Sequence, residues 1–272
     1  MTNQEQLTKY IDYLTARGHN RSYYNVMRIW LAYLEEQKIE IFTQETITQF
    51  FNMHNYSNNS KSSFIRAGRD YYSAYIQIPK ENNEWYKIKL LKIERKIPDY
   101  ITEKEIEEAK RYLVTNFSRK MTPLKIRALI DFMYYSGCRK EELLTLKRDN
   151  FNLEENTAKL YGKGSKERII CYPDKVKKEI EAYFISENQE NNAFNITLGK
   201  LHYIMGLLKK YLGKNVYTHL LRHSFARNLL YNKGVDLPTV SRLLGHSSIM
   251  TTMIYVNPDE KSIKENYKKL VG

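Results

Sequence analysis

Apolar residues recur at helical spacing through the first part of the chain. Leu7, Tyr10, Ile11 and Leu14 fall at i, i+3, i+4 and i+7, which is one face of a helix. The same reading predicts a second helix from Ser22 to Gln37, with Tyr24, Met27, Trp30, Leu31 and Leu34 turned inward. Thr43 is placed to cap a third helix carrying Ile47, Phe50 and Phe51. A fourth runs from Ser60 or Lys61 to Ile76, with Phe64, Tyr71 and Tyr75 on one side. Polar connectors such as Asn55–Ser60 separate these elements.

Pro98 interrupts any continuous helix, and Thr102-x-x-Glu105 then reads as a capping box opening a helix to about Thr115. Thr122-Pro123 caps another, apolar at Ile126, Leu129, Ile130 and Met133, which ends at Ser136-Gly137. A short helix follows Arg139. The one clear β signal is Thr157–Tyr161 and Arg168–Cys171, two alternating segments joined by the tight turn Gly162–Lys166. Helices are predicted from Lys175 to about Ile185 and from Leu198 to Tyr211, with a loop over Glu187–Asn195. Leu243-Leu244-Gly245 reads as a helix end with glycine at the cap, and Ser247 or Ser248 as the cap of a short helix from Ile249 to Ile254. Asp259–Gly272 reads as one more helix. The pattern implies a mainly α chain of two domains: an N-terminal helical bundle over 1–86 and a mostly helical domain with a small antiparallel hairpin over 99–272. Residues 87–98 would link them.

Charge adds a partner to this picture. The 272 residues carry a net charge of +13, of which residues 1–100 contribute only +3. The excess lies in the second domain and points to a polyanion. The linker is itself basic, with Lys87, Lys89, Lys92, Arg95 and Lys96, and reads either as a phosphate-crossing segment or as a solvated tether. Cys138 and Cys171 have no metal-ligand spacing around them, so neither a zinc site nor a disulfide framework is expected, and a reducing compartment is. The polar N-terminus is no signal peptide, and no apolar run approaches the roughly 20 residues of a membrane span. The Gly162-Lys163-Gly164 turn does not match a Walker A motif, so no nucleotide is implied.

Chemistry concentrates between Thr218 and Pro258. His219 and Arg222 sit at i and i+3 and share a helix face. A guanidinium fork matches two phosphate oxygens, and an imidazole can take or give a proton near neutrality. Taken singly these signals are weak, since His-x-x-Arg pairs are common on helix surfaces and Tyr255 is one of 23 tyrosines. Their order and spacing are specific. His219-x-x-Arg222-His223 precedes Leu244-Gly245-His246, and Tyr255 follows His246 by 9 residues. Upstream stand Gly137-Cys138-Arg139-Lys140-Glu141-Glu142-Leu143 and Gly162-Lys163-Gly164-Ser165-Lys166-Glu167-Arg168.

Together these motifs resemble the tyrosine recombinase (phage integrase, Xer-like) family over about residues 98–258. The resemblance implies a first domain of the family's core-binding type, with Lys61, Arg66, Arg69 and Asn59 as DNA contacts. It implies Tyr255 as nucleophile, Arg139, Arg222 and His246 around the scissile phosphate, His219 as base, and Lys163 as acid for the leaving 5′ oxygen. His223, on the same helix turn, competes with His219. Glu142 would orient Arg139, and Lys166 and Arg168 would contact phosphates. It further implies a 3′-phosphotyrosine intermediate with no metal, cofactor or ATP. The expected partner is a double-stranded DNA recombination site, bound as a homo-tetramer in the synapse by a protein that is monomer or dimer when free. No membrane is involved, and the expected place is the cytoplasm, at the nucleoid. The C-terminal helix would dock on a neighbouring protomer or on its own domain. Two roles stay open, Xer-like dimer resolution and mobile-element integration, both compatible with a chain lacking an extra arm-binding domain. A type IB topoisomerase is the alternative of similar chemistry.

Overall fold

A computed structural model describes residues 3–17, 22–91, 99–117, 121–162, 167–187, 192–246 and 248–255. The chain divides into two compact units, Met1–Arg95 and Lys96–Gly272.

The first unit is helical. It contains α1 (Asn3–Ala16), α2 (Ser22–Glu36), α3 (Gln44–His54), α4 (Asn58–Arg69) and the short α5 (Glu84–Lys87). The expected apolar faces form its core: Leu7, Tyr10, Leu14, Met27, Trp30, Phe50 and Tyr71 are all buried. Trp30 is central, edge-on to Phe50 at 5.2 Å and to Trp85 at 4.9 Å between centroids. Thr43 caps α3 in a capping box with Thr46. The fourth helix differs from expectation at both ends. It starts earlier, because the Ser57 side chain accepts from the Ser60 backbone N–H, and after Arg69 it widens into a π turn over Asp70–Tyr75. Trp85 packs so tightly on α4 that a Cβ on Gly68 would lie 2.3 Å from its ring. Lys87 closes α5 and pairs with Glu84, so the predicted linker begins inside a helix, while residues 92–98 lie outside the described part.

The second unit is built on α7 (Pro123–Ser136), which is buried along most of its length. Before it comes α6 (Glu103–Phe117), opened by the predicted box: Glu105 accepts from the Thr102 backbone at 2.8 Å and donates its own N–H to Thr102 at 3.2 Å. After it come α8 (Lys140–Thr145) and a three-stranded antiparallel sheet ordered β1-β2-β3. β2 (Thr157–Tyr161) and β3 (Glu167–Cys171) match the predicted hairpin, and the two-residue β1 (Phe151–Asn152) adds an edge too short for periodicity to show. Ala158, Leu160 and Ile170 turn to the core. Then follow α9 (Asp174–Ser186), α10 (Leu198–Leu212), α11 (Thr218–Arg227), a π turn at Asn228–Asn232 and α12 (Leu237–Leu244). The predicted helix from Ile249 to Ile254 is instead two 3₁₀ turns, Ile249–Thr251 and Met253–Tyr255, the first capped by Ser248. The predicted tail helix lies outside the described residues. No described helix is long and apolar enough to cross a membrane.

Candidate active site

Two tight helix ends set the site's frame. α7 stops at Gly137 with φ +60°, and α12 stops at Gly245 with φ +64°. Both are left-handed positions that favour glycine. Each turn aims carbonyls into the space between them. Arg222, on α11, reaches both: it donates to the Gly137 carbonyl at 2.6 Å and to the Leu244 carbonyl. It is only 2% exposed. Burial, with the charges of Arg139 and Arg168, pushes its pKa down to about 10, so it stays cationic at neutral pH.

Arg139 arrives from the start of α8. Glu142, one turn on, accepts from the Arg139 backbone N–H at 2.7 Å and from its guanidinium at 2.9 Å. The other end of that guanidinium donates to the Gly245 carbonyl at 2.9 Å. A third arginine joins them. Arg168, on β3, donates to both Glu142 oxygens, at 3.1 and 2.8 Å, and to the Leu243 carbonyl. Three consecutive carbonyls at the end of α12 thus receive three arginines: Leu243 from Arg168, Leu244 from Arg222, Gly245 from Arg139. Cations suit a helix C-terminus, where unpaired carbonyls carry partial negative charge. Burial of Glu142 favours its neutral form, but the hydrogen bonds and charges of Arg168 and Arg139 outweigh this and hold its pKa below the usual carboxylate value. One carboxylate against three guanidiniums leaves the cluster strongly cationic.

The brace leads directly to His246. Its Nδ1 is 2.7 Å from the Thr252 hydroxyl, on the segment that carries Tyr255. Tyr255 is 7% exposed, and its ring is edge-on to His223 at 5.0 Å and stacked with His246 at 6.5 Å. Burial raises the phenol's pKa, while Arg222 works against that rise. Burial first, then neighbouring positive groups, pushes His223 and His246 down to about 4, so both are neutral near pH 7. His219, a turn earlier on α11, keeps an open edge to solvent; protein on its inner side and the charge of Arg222 lower its pKa. Among the described residues, no group of three or more His, Cys, Asp or Glu is arranged to hold a metal. What the site offers is anion stabilisation by guanidiniums beside a buried phenol.

The Phage integrase family pattern matches residues 99–262. The chain belongs to the phage integrase family. Tyrosine recombinase XerC of Bacillus licheniformis is 33% identical over 229 residues, covering 76% of this chain and 72% of the relative. Tyrosine recombinase XerD of Staphylococcus haemolyticus is 29% identical over 289 residues and 97% of both chains. The fold is that of XerH site-specific recombinase bound to difH substrate, with a TM-score of 0.69 at 23% identity over 91% of this chain and 78% of that one. A lambda integrase dimer bound to a core site gives 0.69 at 17% identity, over 92% and 97% of the two chains. The function is site-specific tyrosine recombination, and the family match with the XerC and XerD relatives favours it over the topoisomerase alternative.

Within this integrase-family chain, Arg139, Glu142, Arg222, His246 and Tyr255 are linked by the contacts above, with His219 on the same helix as Arg222. Lys163 and Lys166 lie outside the described residues. Arg168, expected to contact phosphates, has its donors turned inward to Glu142 and Leu243. The signal that would have shown this was strand alternation: Arg168 and Ile170 share a face of β3, and Ile170 is core. In the first unit, Arg69 is likewise occupied, donating to the Trp85 carbonyl at 3.1 Å and the Ile88 carbonyl at 2.8 Å. Lys61 is half-buried with its ammonium 5.9 Å from the Phe51 ring centre, and Arg66 and Asn59 are exposed. Two contacts near the phenol had no counterpart in the motifs: Thr252 on His246, and the Tyr231 hydroxyl, which donates to the Tyr255 carbonyl at 3.1 Å.

Proposed function

We propose that the chain cuts and rejoins double-stranded DNA at a recombination site, with Tyr255 as nucleophile. The Tyr255 oxygen attacks the scissile phosphorus, and His219 accepts the phenolic proton. The bond to the 5′ oxygen breaks, and Lys163 supplies the proton for that leaving group. The product is a 3′-phosphotyrosine link and a free 5′-hydroxyl, which reverses the chemistry when it attacks in turn. Arg139 and Arg222 neutralise the charge that builds on the non-bridging oxygens, and His246 adds a hydrogen bond. Preorganised donors of this kind contribute about 3 kcal/mol each to the barrier reduction. Because the guanidiniums supply the charge and the phosphotyrosine keeps the bond energy, the reaction needs neither metal nor ATP. The DNA-bound form is a homo-tetramer that resolves replicon dimers or integrates a mobile element. The XerH relative was seen on its difH substrate, which supports a DNA site as partner.

The observation that carries this reading is the convergence of Arg139 and Arg222 on adjacent carbonyls, Gly245 and Leu244, immediately before His246. The test is a nicked suicide substrate. The protein forms a covalent adduct in the presence of a chelator and without ATP, and Tyr255→Phe forms none while binding DNA equally well. Adduct persisting in Tyr255→Phe rules out this nucleophile. Sequencing DNA trapped covalently on the protein in cells decides between the two roles.

A further inference from the structure

Arg168 is the third guanidinium of the cluster, and the reaction above gives it no task. We propose that Arg168 is a positioning residue that holds Arg139 and the Gly245–His246 segment in place for the phosphate, and that it does not itself contact DNA. This inference rests on the proposed recombination chemistry.

The geometry supports it in three ways. First, Arg168 is sequestered: its side chain is 12% exposed and its carboxylate partner, on Glu142, 1%. Its Nε and Nη2 bind both oxygens of Glu142, and its Nη1 binds Leu243. Second, it competes with Arg139 for the same carboxylate. Glu142 Oε1 accepts from both guanidiniums, and Oε2 accepts from Arg168 and the Arg139 backbone. Without Arg168, Glu142 has free lone pairs, and a buried carboxylate so exposed draws the nearest guanidinium into a two-pronged pair. That guanidinium is Arg139, which would leave the Gly245 carbonyl. Third, the Arg168 stem packs against the turn that aims His246: a Cβ on Gly245 would stand 2.5 Å from Arg168 Cδ. The stem is in turn fixed by the sheet, where Arg168 pairs with Leu160.

The test compares Arg168→Met and Arg168→Lys with Arg139→Ala in single-turnover cleavage. Each acts on a normal scissile phosphodiester and on a methylphosphonate, which lacks the non-bridging charge that Arg139 neutralises. Arg139→Ala loses rate on the phosphodiester and recovers much of it on the neutral substrate. Arg168→Met is expected to show the same selective recovery, after a loss on the order of 100-fold on the phosphodiester. Arg168→Lys, which keeps charge but loses the fork, falls between Arg168→Met and wild type, and serves if Arg168→Met does not fold. DNA affinity and its salt dependence stay at wild-type values. Two results overturn the proposal: equal loss on both substrates, which marks a general structural defect, or a salt slope reduced by about one, which marks a lost phosphate contact. A wild-type protein that forms no adduct fails the recombination reading, whereas normal adduct with either of those results fails this inference alone.

Discussion

The His223 ring stands edge-on to the Tyr255 ring, with centroids 5.0 Å apart and planes at 60°. Its Nδ1 is buried without a hydrogen-bond partner among the described residues. His223 thus forms a wall beside the Tyr255 ring. With a pKa near 4 it is a weak base, and taking a proton from a phenol of raised pKa is steeply uphill. His219 has an edge open to solvent and is the acceptor in the proposed chemistry. His223→Phe, which keeps a ring at that wall, is therefore expected to cost less than about tenfold in single-turnover cleavage. His219→Gln costs about 10²- to 10⁴-fold, the usual range for a lost general base. The opposite ranking would make His223 the base.

The same burial predicts acid sensitivity of the fold. His223 and His246 have folded pKa values of about 4, against roughly 6.5 when unfolded. Between those values the unfolded chain binds more protons than the folded one. Their contribution to stability is complete above about pH 6.5 and is lost as pH falls towards 4. Thermal melts of the second unit's transition in the full chain should decline from pH 7 to pH 5, and His223→Phe should decline less steeply. Parallel slopes would show that His223 titrates normally.

Much of the framework was legible because helix starts carry chemistry as well as periodicity. Thr43, Thr102 and Thr122 each precede an apolar face, and each is found capping. The π turns after Arg69 and Arg227 were not, because one widened turn leaves the sequence with the same residue types and nearly the same apolar side. Within the site, Arg139 and Arg222 were legible only through the order of motifs, being 83 residues apart in the chain. The Arg168–Glu142 pair was not legible, because a guanidinium looks alike in sequence whether its partner is a DNA phosphate or a buried carboxylate. Tyr231 had no distinguishing neighbour at all; its relation to Tyr255 exists only once the π turn after α11 and the last 3₁₀ turn are folded together.

Gly245 carries two demands, and a pair of alanine variants separates them. Its φ of +64° strains any other residue, by about 1–2 kcal/mol. Its Cβ direction is also filled by Arg168. Gly234 has nearly the same φ, +65°, but open space around its missing Cβ. Gly234→Ala should lose stability by the backbone term alone and keep its cleavage rate. Gly245→Ala should lose more stability in denaturant melts and, because Arg168 must move, lose cleavage as well. Equal behaviour of the two variants would show that the Arg168 stem yields freely.

Tyr231 is the last residue whose replacement separates positioning from binding. It sits in the π turn after α11, with the Arg227 guanidinium 4.9 Å from its ring centre, and donates to the carbonyl of Tyr255 itself. That bond ties the backbone of the proposed nucleophile to the turn after α11. Tyr231→Phe removes the hydroxyl and keeps the ring. A neutral hydrogen bond contributes about 1 kcal/mol, which corresponds to roughly a fivefold change. Tyr231→Phe should therefore cleave a suicide substrate about fivefold more slowly at saturating protein, with DNA affinity unchanged. If affinity falls while the saturated rate holds, Tyr231 acts on the DNA-binding surface instead, and the carbonyl contact does not govern the nucleophile.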